Sequence, residues 1–129
     1  MTEPIWLRRA WVDAFHFQQL KHFGGLYGLR DGAALDAALA RPRNLWAYED
    51  ERDIVRLAAA YAYGLTRSHA YVDGNKRTAF ISMVAFLDVN RRQFDAPEAD
   101  AVQVMLGVAA GYIAEHAVAD WGRGHTTSL

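Results

Sequence analysis

Two apolar helical runs separated by a short polar break constrain this 129-residue chain more than any other feature. Over residues 51–68, Ile54, Leu57, Ala58, Tyr61 and Leu65 recur at i, i+3, i+4 spacing, the pattern of a helix with a face to bury. Over residues 75–90, Phe80, Ile81, Val84, Phe86 and Leu87 make a second run so apolar that it belongs in the core. Gly74 breaks regular structure between them, so a loop must join two central helices.

The rest of the chain reads as further helices around this pair. Residues 5–23 form one, stopped by Gly24 and Gly25, and Asp31 caps another that runs to about Arg41, where Pro42 ends it. Asp95 and Pro97 open a helix to about Ile113, residues 118–121 form a short closing one, and residues 124–129 read as a frayed, disordered tail. No strand-like alternation, linker or repeat is visible. The expectation is an all-α bundle in one domain over residues 1–129, long enough to bury about two-thirds of its unfolded surface.

Two segments have two readings each. Residues 5–23 are apolar nearly all the way round, because Trp11, Val12, Phe15, Phe17, Leu20 and Phe23 do not fall on one stripe. Either this is a central buried helix or its surplus face receives a partner. Residues 43–50 lack a period and carry Trp46 and Tyr48, so they read as a connector. Its aromatics are either pinned to the core or, beside a phosphate site, hold a protein substrate.

Composition narrows the partners. Cysteine is absent, which removes disulfide and thiol chemistry and leaves metal to oxygen or imidazole ligands. A formal net charge of −1 supplies no field to draw the whole protein onto nucleic acid or an anionic membrane. With no charged-then-apolar leader and no apolar run near the length of a membrane span, the expectation is a soluble, cytoplasmic protein.

The chemistry concentrates in residues 69–78, HAYVDGNKRT. Gly74 or Asn75 can cap the helix that follows, leaving its first backbone N–H groups free to meet an anion. Lys76 and Arg77 stand in that first turn, where a cation opposes the helix dipole unless an anion is bound, and phosphate is the natural choice. Histidine alone among common side chains changes charge near neutral pH, which makes His69 a candidate general base for an incoming hydroxyl. Asp73 offers a hard oxygen ligand for Mg²⁺. Gly74, Asn75, Lys76 and Arg77 form the phosphate cradle, with Lys76 and Arg77 also taking up charge as a phosphoryl or nucleotidyl group moves. Base, metal ligand and cradle together describe transfer to a hydroxyl.

Each piece has an ordinary explanation. His69 could simply bond the last carbonyls of its helix, Asp73-Gly74 is a turn dipeptide, and Arg77 could pair with a carboxylate on a neighbouring helix. Their joint presence in nine positions, 69–77, favours function. His16, His22, His116 and His125 lack such company and read as structural or solvent-facing, while Tyr71 reads as an anchor for the loop.

His69, Asp73, Gly74, Asn75, Lys76 and Arg77 match the signature of the Fic/Doc family, and the chain resembles its Doc-type (death-on-curing) toxins. Gly24-Gly25, Gly28-Leu29-Arg30-Asp31, Ala40-Arg41-Pro42 and the late alanine-rich helix share in the likeness, which covers nearly everything from about Trp11. The resemblance implies an all-α Fic fold, ATP with Mg²⁺, and modification of a protein hydroxyl. It makes His69 the base, Asp73 the magnesium ligand and residues 75–77 the phosphate binders, and it puts residues 43–49 near the flap that aligns a target.

Ala70 and Tyr71 replace the proline and phenylalanine that follow the histidine in most Fic members, which keeps an aromatic anchor. At Lys76, AMP-transferring members carry a second glycine, whereas Doc-type members carry lysine and are associated with phosphorylating elongation factor Tu on threonine. Lys21 and Lys76 are the only lysines among fourteen Lys and Arg residues, so a lysine here points to a need for a compact ammonium. The expected function is a kinase-type toxin; AMP transfer on the same scaffold and a non-catalytic binding module are the alternatives. Some Fic proteins carry an inhibitory helix with glutamate four residues after serine or threonine, and no Ser or Thr of this chain has that partner. Inhibition is therefore expected from a separate Phd-like antitoxin, docked on the surplus apolar side of residues 11–23.

Overall fold

The computed structural model describes residues 2–129, which fold into six helices and one small sheet. In chain order these are α1 (Arg9–Phe23), α2 (Gly32–Glu49), α3 (Ile54–Ser68), α4 (Asn75–Val89), β1 (Arg92–Phe94), α5 (Glu98–Ala110), α6 (Glu115–Arg123) and β2 (Thr126–Ser128). The centre is α3, which packs against α2, α4, α5 and α6. It is capped by the Asp53 side chain, which accepts from the Val55 N–H at 3.0 Å. Its small residues from Ala58 to Ala62 are buried and let neighbours approach; a Cβ on Gly64 would meet Ala38 of α2 at 3.6 Å. Tyr61 and Phe86 of α4 are fully buried with ring centroids 4.9 Å apart, each contributing roughly 1.5–3 kcal/mol through burial.

The mainly helical bundle with a loop between two central helices is as expected, but four details differ. Residues 5–8 are not helical. The Asn90 side chain ties both backbone groups of Ile5, at 2.8 and 3.0 Å, and the Leu7 N–H donates to the Tyr61 hydroxyl, so this strap is satisfied outside a helix. Secondly, α1 is peripheral: Val12, His16, Gln19 and Leu20 face inward while Trp11, Phe17 and Phe23 are exposed.

Pro42 does not end α2, which continues to Glu49. A proline inside a helix costs about 3 kcal/mol, and here Pro42 is buried between Leu39 and Leu45, so core packing holds the helix together. The residues expected to form a connector are thus helical. Trp46 packs edge-on against Trp6 at 6.2 Å with the Arg52 guanidinium 3.9 Å above it, whereas Tyr48 is exposed.

The C-terminal tail is also ordered. Thr126–Ser128 pairs antiparallel with Arg92–Phe94, over a cluster in which Phe94 and Trp121 rings lie 5.2 Å apart. Strands of three residues are too short to show an alternation in sequence.

Candidate active site

The loop is built by its backbone. α3 ends on His69 in the left-handed region, φ 49° and ψ 38°, a conformation that costs a non-glycine residue about 1–2 kcal/mol and collects at functional sites. The Ala70 carbonyl accepts from Arg30 and Asp31 N–H groups at 2.7 and 2.9 Å, and the Val72 N–H donates to Gly28 at 2.9 Å. Asn75 then closes the loop, accepting from the Tyr71 N–H at 3.0 Å and donating to the Tyr71 carbonyl at 2.9 Å. Its side chain is therefore occupied by the loop, and its backbone N–H, rather than its amide, is what it offers an anion.

Gly74, at φ 79°, caps α4, and the first helical bond runs from the Thr78 N–H to the Gly74 carbonyl. The N–H groups of Asn75, Lys76 and Arg77 have no partner among the described residues. No carboxylate pairs with Lys76 or Arg77 among those residues either, which removes the ion-pair explanation for Arg77. Instead the Arg77 guanidinium lies 4.4 Å over the Phe23 ring.

Asp73 is held on both sides. Its carboxylate accepts from the Leu26 N–H at 3.2 Å and the Gly74 N–H at 3.0 Å, and its carbonyl lies 2.8 Å from Nε2 of His16. His16 is buried and stacks flat on Tyr71, centroids 3.7 Å apart. The Tyr71 hydroxyl donates to Asp13 at 2.6 Å; burial, then Asp13, pushes its pKa far above the ordinary tyrosine value and keeps that donor protonated. His16 is thus part of the site's foundation rather than an incidental histidine. The signal available in sequence was the set Asp13, His16 and Gln19, polar residues three apart along one side of α1.

A cleft of about 480 Å³ opens beside the loop. Its polar end is residues 73–77, and its apolar walls come from Phe80 and Ile81 of α4 and from Val102 and Leu106 of α5, with Glu98 also on the wall. His69 does not line it and stands exposed at the start of the loop. The structure therefore gathers Asp73, Gly74, Asn75, Lys76 and Arg77 into one cleft and leaves His69 outside its lining, exposed at the end of α3.

No group of three or more His, Cys, Asp or Glu that could hold a metal occurs among the described residues. Asp73 is a single carboxylate beside the unpaired N–H groups of residues 75–77. That suits Mg²⁺, which is usually held by one or two carboxylates together with phosphate oxygens and water.

Residues 43–49 do not border this cleft. α2 begins beside the loop and rises 1.5 Å per residue, so Arg43 is already about 16 Å along it. Trp46 reaches Trp6, which stacks on Phe86 toward the other end of α4. The segment that does lie against the loop is 24–30, through the bridge of Leu29 with Tyr71 and the Gly28 and Leu26 backbone bonds.

Gly74 resists replacement on two counts. A Cβ there would stand 1.9 Å from Nε2 of Gln19, in addition to the strain of its positive φ. Gly74→Ala is expected to lower stability by about 1–3 kcal/mol in urea denaturation and to weaken anion binding at the α4 terminus; unchanged values for both would contradict this cap geometry.

The sequence matches the Fic/DOC family over residues 6–87, which takes in α1 to α3, the whole loop and α4 as far as Leu87. This chain belongs to the Fic/Doc family. Among Fic/Doc relatives it is 36% identical over 108 residues to "Protein kinase doc" of Escherichia phage P1, covering 83% of this chain and 84% of that protein. It is 43% identical over 75 residues to "Toxin Doc" of Mycolicibacterium smegmatis, covering 57% of this chain and 58% of that one. α5, the second wall of the cleft, lies beyond the family match.

Proposed function

We propose that this Fic/Doc protein is the toxin of a toxin–antitoxin pair and acts as a protein kinase, moving a phosphoryl group from ATP to a protein hydroxyl, with a threonine of elongation factor Tu as the expected acceptor. The observation that carries the reading is the convergence of three unpaired N–H groups, Lys76 and Arg77 at the polar end of a largely apolar cleft. Its volume falls within the range of about 300–1,000 Å³ common for small-molecule sites, with apolar walls for a base and a cationic end for phosphates. The relatives named "Protein kinase doc" and "Toxin Doc" support the same assignment.

In this reading the backbone N–H groups of residues 75–77 and the two cations hold the phosphates and take up charge as the transferred group moves. Asp73, its carboxylate fixed by two backbone donors, is the residue that would hold Mg²⁺. Bound magnesium supplies neutralisation of phosphate charge. His69, exposed where α3 gives way to the loop, takes the acceptor hydroxyl's proton onto a ring nitrogen. The flap role falls to residues 24–30, where Leu26, Tyr27 and Leu29 are exposed next to the loop.

An antitoxin of Phd-like type belongs to the same reading, with Trp11, Phe17 and Phe23 of α1 exposed as apolar contacts for it. A cytoplasmic setting belongs to the same proposal; no helix among the described residues is long and apolar enough to cross a membrane. The test is incubation with a translation extract and ATP labelled at either the γ or the α phosphate. Label reaching protein from the γ position alone is the expected result. Label from the α position means AMP transfer, and label from neither means a binding module.

A further inference from the structure

Three polar side chains, Asp13, His16 and Gln19, lie three residues apart along α1, and all three end on the loop. Asp13 takes the Tyr71 hydroxyl at 2.6 Å, His16 Nε2 meets the Asp73 carbonyl at 2.8 Å, and Gln19 Nε2 lies 3.5 Å from the Gly74 carbonyl. His16 and Gln19 are almost wholly buried, and His16 Nδ1 and Gln19 Oε1 have no partner among the described residues. Burying polar atoms that remain unpaired is unfavourable, so a residue needed only to fill space here would be better as leucine.

A carbonyl oxygen can only accept, so Nε2 of His16 carries a proton in this contact. Stacking on Tyr71, with ring planes 10° apart, fixes the direction of that N–H. The peptide joining Asp73 to Gly74 is planar, with its C=O and N–H pointing opposite ways. Holding the Asp73 carbonyl toward α1 therefore turns the Gly74 N–H outward, where it donates to Asp73 Oδ1 at 3.0 Å, while the Leu26 N–H holds Oδ2.

We propose that His16 is a positioning residue, which aims the Asp73 carboxylate by orienting the peptide between Asp73 and Gly74. The metal-directed part rests on the ATP and magnesium reading above. His16 itself touches neither substrate nor metal.

Two substitutions separate this role from packing. His16→Phe keeps a ring on Tyr71 and removes the donor, whereas His16→Gln returns an N–H at a similar reach. In protein alone, amide hydrogen exchange at Gly74 and Leu26 is expected to quicken in His16→Phe and to return toward wild type in His16→Gln. Affinity for ATP measured calorimetrically with Mg²⁺ is expected to fall about 10–100-fold in His16→Phe, while affinity without Mg²⁺ stays near wild type. His16→Gln should recover most of the magnesium-dependent part.

Unchanged exchange and unchanged magnesium dependence in His16→Phe overturn the proposal, as does a His16→Gln that fails as fully. If His16→Phe does not fold, His16→Gln against His16→Asn asks the same question, since the shorter amide cannot reach the Asp73 carbonyl. If wild-type protein gains no ATP affinity from Mg²⁺, the functional reading falls, and the exchange rates alone decide whether His16 sets Asp73.

Discussion

On the proposed reading, His69→Ala is expected to leave the protein folded and to lower transfer to protein by about 10²–10⁴-fold, the usual contribution of a positioned general base. The side chain is exposed and makes no hydrogen bond among the described residues, so truncation removes no packing. What it leaves is an alanine in the same left-handed backbone, φ 49°, with a strain close to that of histidine. His69→Gly provides the control. Glycine relieves about 1 kcal/mol of that strain, so this variant is expected to be more stable than His69→Ala and just as inactive. Urea denaturation and γ-label transfer on the two variants separate folding from chemistry. Near wild-type transfer in either folded variant would remove His69 from the reaction.

Glu115→Ala has the largest expected effect on stability, about 3 kcal/mol. Glu115 is buried at the start of α6, with Arg41 of α2 donating from Nη2 at 2.8 Å and Arg56 of α3 within 2.6 Å. Removing one partner of a buried pair leaves charge uncompensated and typically costs about 3–5 kcal/mol. The lower end applies because Arg41 remains half exposed. Burial opposes ionisation of Glu115, but the hydrogen bond from Arg41 and the charges of Arg56 and Arg41 outweigh it and hold the carboxyl below its usual range.

The sign of the pH dependence follows from that direction. The unfolded chain binds a proton at Glu115 at higher pH than the folded one, so its stabilisation is present above the ordinary carboxyl value and fades as pH falls through the folded one. The difference in urea stability between wild type and Glu115→Ala should therefore be full at pH 7 and shrink in acid. A difference under about 1 kcal/mol at pH 7 would mean the solvated Arg41 carries little of the joint.

What the sequence made legible was local. The spacing of Ile54, Leu57, Ala58, Tyr61 and Leu65 depends only on residues one or two turns apart, and α3 and α4 lie where that spacing puts them. The loop was readable for the same reason: glycine, carboxylate and cations stand within one turn of the helix they cap. The long-range partners were not readable. His16 meets Asp73 across 57 positions and Tyr61 meets Leu7 across 54. Pro42 carries a strong local signal to stop a helix, and its burial in the core overrides it. The placement of residues 43–49 beside the loop failed because nearness to the site comes from packing, and a single bridge between Leu29 and Tyr71 chooses residues 24–30 instead.

The phosphate cradle at the start of α4 is tested most directly by following backbone amide resonances while ATP and Mg²⁺ are added. The largest shifts are expected at Asn75, Lys76 and Arg77, the three N–H groups left unpaired, with smaller changes at Leu26 and Gly74 as the Asp73 carboxylate takes up metal. ATP binding that leaves those three amides unmoved, or no binding at all, would contradict the site.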